Sequence, residues 1–187
     1  MRWTARVLVG AVLGKPVEGP PRYGLHASKR VFRSATPTVA FVHGTSRDDK
    51  LWPVQHWVQL GKRVIEAGWR IGLPQGNEME QTRAELIAAG LQFEKAFHVE
   101  VWPTLSLDAV LDRLALTQGV IGVDSGLSHI AVALDLPHVQ LYNFPTALAH
   151  RAAGRPRPPS PVALEGRPTP TVQAAWLAWS DVLVAAS

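Results

Sequence analysis

An α/β domain with a parallel sheet flanked by helices is the fold class this sequence predicts, on three observations. Short apolar, β-branched runs alternate with amphipathic segments of helical length, the pattern of βαβ units. Polar loops follow those runs at 44–50, 74–78 and 124–129, and ligands of such sheets sit outside the carboxyl ends of the strands. The chain has 187 residues, 47% of them hydrophobic, enough for one domain with a substantial core.

The elements follow in order. Val7 to Leu13 after Arg2 and Arg6 resembles a short signal-peptide core, but Lys15-Pro16 follows at once without a small-x-small cleavage site. A short helix closed by Gly14 is expected instead. Residues 15–30, rich in Pro and Gly, read as an extended linker. Thr38 to His43 reads as a buried strand. Pro53 suits the first position of a helix with Val54, Trp57, Val58, Gly61, Val64 and Ile65 inward and Gly68 at its end. Trp69 to Leu73 is a second strand. Asn77, with Glu80 three residues on, suits a capping box for a helix that Gly90 is expected to stop. Phe97 to Trp102 is a third strand. Ser106 is expected to cap a helix with Leu107, Val110, Leu111 and Leu114 inward.

Gly119 to Val123 is a further buried strand that breaks at Asp124-Ser125-Gly126 and resumes as a helix striped by Leu127, Ile130, Ala131 and Leu134. Pro137 to Tyr142 is another strand. Asn143 to Pro170 reads as irregular, with Arg151, Arg155, Arg157 and Arg167 among prolines. A last helix starts at Thr169-Pro170 and turns Val172, Ala175, Trp176, Trp179, Val182 and Leu183 to one face.

Composition narrows the chemistry. Without cysteine there is no disulfide frame, thiolate metal site or cysteine nucleophile. The net charge of +4 suits a phosphate-bearing ligand or an anionic membrane surface. Nucleic acid is not expected, because no basic run interleaved with aromatics occurs. No apolar stretch approaches the ~18 residues of a membrane span. The seven histidines show no metal-ligand spacing. Gly10 to Pro16 is one residue short of a Walker loop and has proline where the hydroxyl belongs. No G-x-G-x-x-G follows the first strand, and Gly122 to Gly126 is not a nucleophile elbow.

One stretch carries positive chemistry. A strand, a small-residue turn and a helix start at 119–129 form an anion site, with unpaired N–H groups at the positive end of the helix dipole. Ser125 can cap that helix or give its hydroxyl to a phosphate. Gly126 lets a ligand approach the backbone, and His129 lies one turn on from Ser125. Asp124 can orient sugar hydroxyls or cap the helix. Thr45, Ser46 and Lys50 offer hydroxyls and a cation to a diphosphate, or form a solvated loop. Glu78 can accept ribose hydroxyls, or simply sit well beside a helix N-terminus.

His43-Gly44-Thr45-Ser46-Arg47-Asp48-Asp49-Lys50-Leu51-Trp52-Pro53, Gln75-Gly76-Asn77-Glu78 and Val123-Asp124-Ser125-Gly126-Leu127-Ser128-His129 together resemble the donor-binding half of the lipopolysaccharide heptosyltransferase I family. These are bacterial ADP-heptose transferases of glycosyltransferase family 9. The resemblance implies a Rossmann-like sheet, the C-terminal domain of a two-domain GT-B enzyme. It assigns Thr45, Ser46 and Lys50 to the diphosphate and donor sugar, and Glu78 to the ADP ribose. Asp124, Ser125, Gly126 and His129 fall at the diphosphate and heptose, with Ser125 in place of the commoner Thr. Asn143-Phe144-Pro145-Thr146-Ala147 lacks the acid of the family's Gly-Pro-Thr-Asp loop.

The implied reaction is inverting transfer of heptose from ADP-heptose to the Kdo of the lipopolysaccharide inner core, without cofactor or metal. It would take place in the cytoplasm at the inner face of the inner membrane. Complete members have an N-terminal half with the acceptor pocket and an aspartate base. Here residues 1–35 are read as interdomain helix and linker and 36–187 as the ADP-heptose-binding domain, with the acceptor domain absent. The catalytic base therefore has no assignment in this chain. ADP or ADP-heptose is the expected ligand, Kdo-lipid A an acceptor only through the other half, and self-association through uncovered apolar surface a further expectation. The alternative is a non-catalytic nucleotide-binding or interaction domain. An epimerase is disfavoured by the missing glycine fingerprint and Tyr-x-x-x-Lys pair.

Overall fold

The computed structural model describes residues 36–91, 98–143, 162–165 and 169–186. The expected N-terminal helix and linker and the arginine-bearing stretch after Asn143 lie outside these residues. The elements are β1 (Thr38–Val42), α1 (Val54–Glu66), β2 (Arg70–Leu73), α2 (Glu78–Leu91), β3 (Val99–Val101) and α3 (Leu107–Ala115), then β4 (Gly119–Val123), α4 (Gly126–Ala133), β5 (His138–Tyr142), β6 (Val162–Glu165) and α5 (Val172–Ala186). The six strands form one sheet in the order β3-β2-β1-β4-β5-β6, parallel at every pairing. The order reverses between β1 and β4, so the chain winds outward in both directions from that pair.

Period-two alternation sends the side chains of β1 and β4 to two cores. Val39 and Phe41 of β1, Ile121 and Val123 of β4 and Val139 and Leu141 of β5 join Trp57, Leu60, Val64, Ile87 and Trp179 beneath α1, α2 and α5. Phe41 and Trp57 meet with ring centroids 4.9 Å apart, and Trp52 meets Trp57 edge-on at the same separation. Ala40, Val42 and Val120 face the other way, onto Trp102, Val110, Leu114 and Ala131 below α3 and α4.

Four expectations are corrected. Pro53 caps α1 rather than opening it. Gly90 lies inside α2 and does not stop it; a Cβ there would come within 2.6 Å of Val58 Cγ2, so the glycine serves close packing of α2 on α1. Leu107 is 64% exposed rather than inward. Val162–Glu165, inside the stretch read as irregular, pairs with β5 as an edge strand. Four residues among prolines are too short for a periodic signal, and the pairing that makes them a strand is non-local.

Two helices end in the same hydrogen-bond pattern. After α1, Trp69 N–H reaches Val64 O at 3.1 Å and Gly68 N–H reaches Ile65 O at 2.9 Å; after α4, Leu136 N–H reaches Ala131 O and Asp135 N–H reaches Val132 O, both at 3.1 Å. Each is a Schellman end whose pivot residue needs positive φ. Gly68 (φ 87°) fills it in the first and Asp135 (φ 55°) in the second.

Candidate functional site

The reversal of strand order separates the chains that leave β1 and β4, and a cleft of about 630 Å³ opens at their carboxyl ends. Thr45, Ser46 and Lys50 line one side, and Asp124, Ser125, Gly126 and His129 line the other. The expected convergence of the three polar loops therefore holds. Pro74, Gln75 and Gly76 supply the third loop, and Leu105, Leu107, Val110, Leu127 and Ile130 make an apolar wall.

Glu78 is not among the lining residues. It is exposed at the first position of α2, while Glu80 lines the cleft two residues on. The capping box is half formed: Asn77 Oδ1 accepts the Glu80 N–H at 2.9 Å. Glu80 returns not to Asn77 but to Gly76, whose N–H donates to Oε2 at 2.8 Å. The carboxylate lies across the loop after β1, where a Cβ on Gly44 would stand 2.4 Å from Oε1. Local sequence marks Glu80 as a cap; only the fold carries its carboxylate into the cleft.

Asp124 is the junction of the site. Its Oδ2 accepts from Lys50 Nζ at 2.7 Å, with the side chains only 18% (Lys50) and 22% (Asp124) exposed. Its Oδ1 accepts from Gln140 Nε2 at 3.2 Å and lies 3.6 Å from His129 Nε2, on a ring that is 69% exposed. Its carbonyl accepts from the Thr45 hydroxyl at 3.0 Å. Thr45 thus donates its proton to the β4 loop and ties the two sides of the cleft together, leaving only lone pairs for a ligand.

Ser125 precedes α4 with extended backbone and makes no side-chain cap. Its hydroxyl is buried without a hydrogen-bond partner among the described residues. Beside it, the first N–H groups of α4 have no intrahelical acceptor. A Cβ at Gly126 would meet nothing within 4 Å, so ligand atoms can come close to the backbone there. Behind this turn the packing is tight: Ser128 Oγ donates to Val123 O at 2.6 Å, and a Cβ on Gly122 would stand 2.5 Å from the Ser128 Oγ.

Two histidines, His43 and His138, are buried at the strands either side of β4. His43, one residue past β1, is pushed down to about 4, first by burial and then by the Arg83 charge, against an opposing pull from the Pro74 carbonyl. That carbonyl falls short of hydrogen-bond geometry, since neither ring nitrogen of His43 has a partner among the described residues. His138 opens β5 and is pushed down to about 3 by burial, with a smaller contribution from His129. Among the described residues no cluster of metal-ligating side chains occurs, and no helix is long and apolar enough to cross a membrane.

An all-parallel sheet with a hydroxyl-, amide- and ammonium-lined cleft where its strand order reverses defines a doubly wound α/β domain of the Rossmann-like class. The chain belongs to glycosyltransferase family 9 (heptosyltransferase), whose family model matches residues 6–154. Lipopolysaccharide heptosyltransferase 1 of Escherichia coli K12 is 40% identical over 128 residues, 66% of this chain but 39% of that protein. The Pseudomonas aeruginosa protein of the same name is 40% identical over 106 residues, 57% of this chain and 28% of its own length. The matched segments therefore span well under half the length of these curated relatives. In structure, E. coli heptosyltransferase WaaC with ADP-2-deoxy-2-fluoro heptose superposes with a TM-score of 0.78 at 29% identity, over 97% of this chain and 57% of that one. The same enzyme with ADP gives 0.76 at 28% identity, over 100% and 58%.

Proposed function

We propose that this chain is the donor half of a heptosyltransferase and that its cleft binds ADP-heptose, or the product ADP, for inverting transfer to the Kdo of the lipopolysaccharide inner core. The observation that carries the reading is the buried, unpartnered Ser125 hydroxyl at the start of α4, in one cleft with Lys50. A diphosphate placed there meets free N–H groups, a hydroxyl proton and an ammonium, and these donors stabilise charge on the leaving ADP. The wall of Leu105, Leu107 and Val110 gives the nucleobase an apolar surface. Glu78 or Glu80 takes the ribose hydroxyls; the resemblance favours Glu78, and the cleft geometry favours Glu80. The two structures of E. coli WaaC, one with ADP and one with ADP-2-deoxy-2-fluoro heptose, support the ligand class.

The general base and acceptor pocket lie, in this reading, in a preceding half of the kind that the relatives' greater length leaves room for. The donor domain is the segment 36–187, joined to that half through residues 1–35. The assembled enzyme works at the inner face of the inner membrane, where its acceptor lipid is anchored. Exposed Met79, Leu86, Leu177 and Val184 offer apolar surface for that half or for self-association.

Calorimetry with ADP tests the cleft. Lys50→Ala is expected to weaken binding by about 1.5–3 kcal/mol, as for a lost charge-assisted contact, and Ser125→Ala by about 0.5–1.5 kcal/mol. Unchanged affinity in both variants would remove the diphosphate from this site. Transfer should be weak with the chain alone and rise when an N-terminal half is added. Saturable binding with no transfer under either condition would favour the non-catalytic alternative.

A further inference from the structure

β5 is buried along its whole length, yet only Val139 and Leu141 belong to the apolar core beneath α1 and α5. Alternation turns Gln140 to the opposite side, toward α4. There it is 2% exposed, and a buried amide is costly unless it is hydrogen-bonded. Its Nε2 donates to Asp124 Oδ1 at 3.2 Å. A carboxylate offers only acceptors, so this contact fixes which end of the amide faces Asp124. Asp124 in turn holds Lys50 through its other oxygen. A chain of contacts thus runs from a core strand, through one carboxylate, to the ammonium on the far wall of the cleft.

We propose that Gln140 is a positioning residue: it holds the Asp124 carboxylate, and through it the Lys50 ammonium, in the geometry that a diphosphate–sugar ligand meets. The inference rests on the proposed use of this cleft, and it adds a residue that does not itself line it. A carboxylate turns easily about its terminal torsion, whose energy wells are broad. His129 approaches the same oxygen, but from an exposed ring at 3.6 Å, a weaker restraint. Lys50 reaches the site on a flexible four-carbon stem. Bracing Asp124 from the sheet orders both charges before the ligand arrives, and affinity rises when such ordering is not left to the binding step.

Gln140→Met keeps the side-chain volume and removes the donor. Gln140→Asn keeps the amide but falls one methylene short. Melting curves establish that each variant is folded. The first readout needs no nucleotide. In ligand-free protein, the Lys50 ammonium should give a slowly exchanging ¹⁵N–¹H signal that is lost in both variants. The second is a cycle of ADP affinities: Gln140→Met should weaken binding about 5–20-fold in the wild-type background and less than about 2-fold when Asp124 is already Ala. An unchanged Lys50 signal, or an equal loss of affinity with and without the Asp124 carboxylate, would overturn the proposal and leave Gln140 a packing residue. If the wild-type chain does not bind ADP, the reading of the cleft fails, while the Lys50 signal still decides the role of Gln140.

Discussion

The two faces of the sheet solve different problems. Beneath α1, α2 and α5 lie Phe41, Trp57, Leu60, Ile87 and Trp179, large rings and branched chains that are fully or almost fully buried. Beneath α3 and α4 the core includes Ala40, Val42, Val120 and Ala131, and Ser128, His138 and Gln140 are buried on the same side. One face therefore holds most of the apolar volume that stabilises the domain. The other gives up packing for polar groups close to the cleft. Buried polar groups contribute less to stability than apolar ones of the same size but fix geometry more narrowly, so the functional side of the sheet should be the less stable one.

The sharpest test of this division is Trp57→Ala. A large buried ring removed from the first face should cost about 3–5 kcal/mol in chemical denaturation, while ADP affinity of the folded protein stays within about twofold of wild type. A loss of affinity as large as that of Lys50→Ala would show the two faces to be coupled.

The next test uses pH. In the unfolded chain the histidines titrate near 6.5, whereas His43 and His138 in the folded protein wait until about 4 and about 3. Below 6.5 the unfolded state therefore binds more protons. Stability is fully present above that pH and falls as the pH drops toward the folded values, by at most about 1.4 kcal/mol per pH unit for each histidine. His138→Leu, on the cleft side, should remove part of this slope between 6.5 and 4, and His43→Leu a similar part. A pH-stability curve unchanged in both variants would show that neither ring is buried neutral.

The smallest effects belong to the two matched helix ends. Gly68→Ala introduces a side chain with room around it but with the wrong backbone preference, and should cost about 1–2 kcal/mol. Asp135→Gly relieves the same preference after α4 and should gain about 0.5–1 kcal/mol. Because α4 carries the cleft's N–H groups, that gain should appear in the melting temperature with little change in ADP affinity. A destabilised Asp135→Gly variant would show that the aspartate side chain stabilises the turn in another way.

Much of this was legible in the residues. Local patterning determined the strand–helix alternation, the inward faces of α1 and α5, the Ser106 cap, whose Oγ accepts the Ala109 N–H, and the polar loops that line the cleft. These depend on period and turn chemistry within a few residues, which a chain carries in any context. Only the tertiary structure decided that Gly90 is a packing contact rather than a stop, that Val162–Glu165 is a strand, and that Glu80, not Glu78, reaches the cleft. It alone decided that Thr45 spends its proton on Asp124 and that Gln140 stands behind the Asp124 carboxylate. Each of these turns on a partner that is distant in sequence or on a side chain's direction set by packing, and neither leaves a periodic trace along the chain.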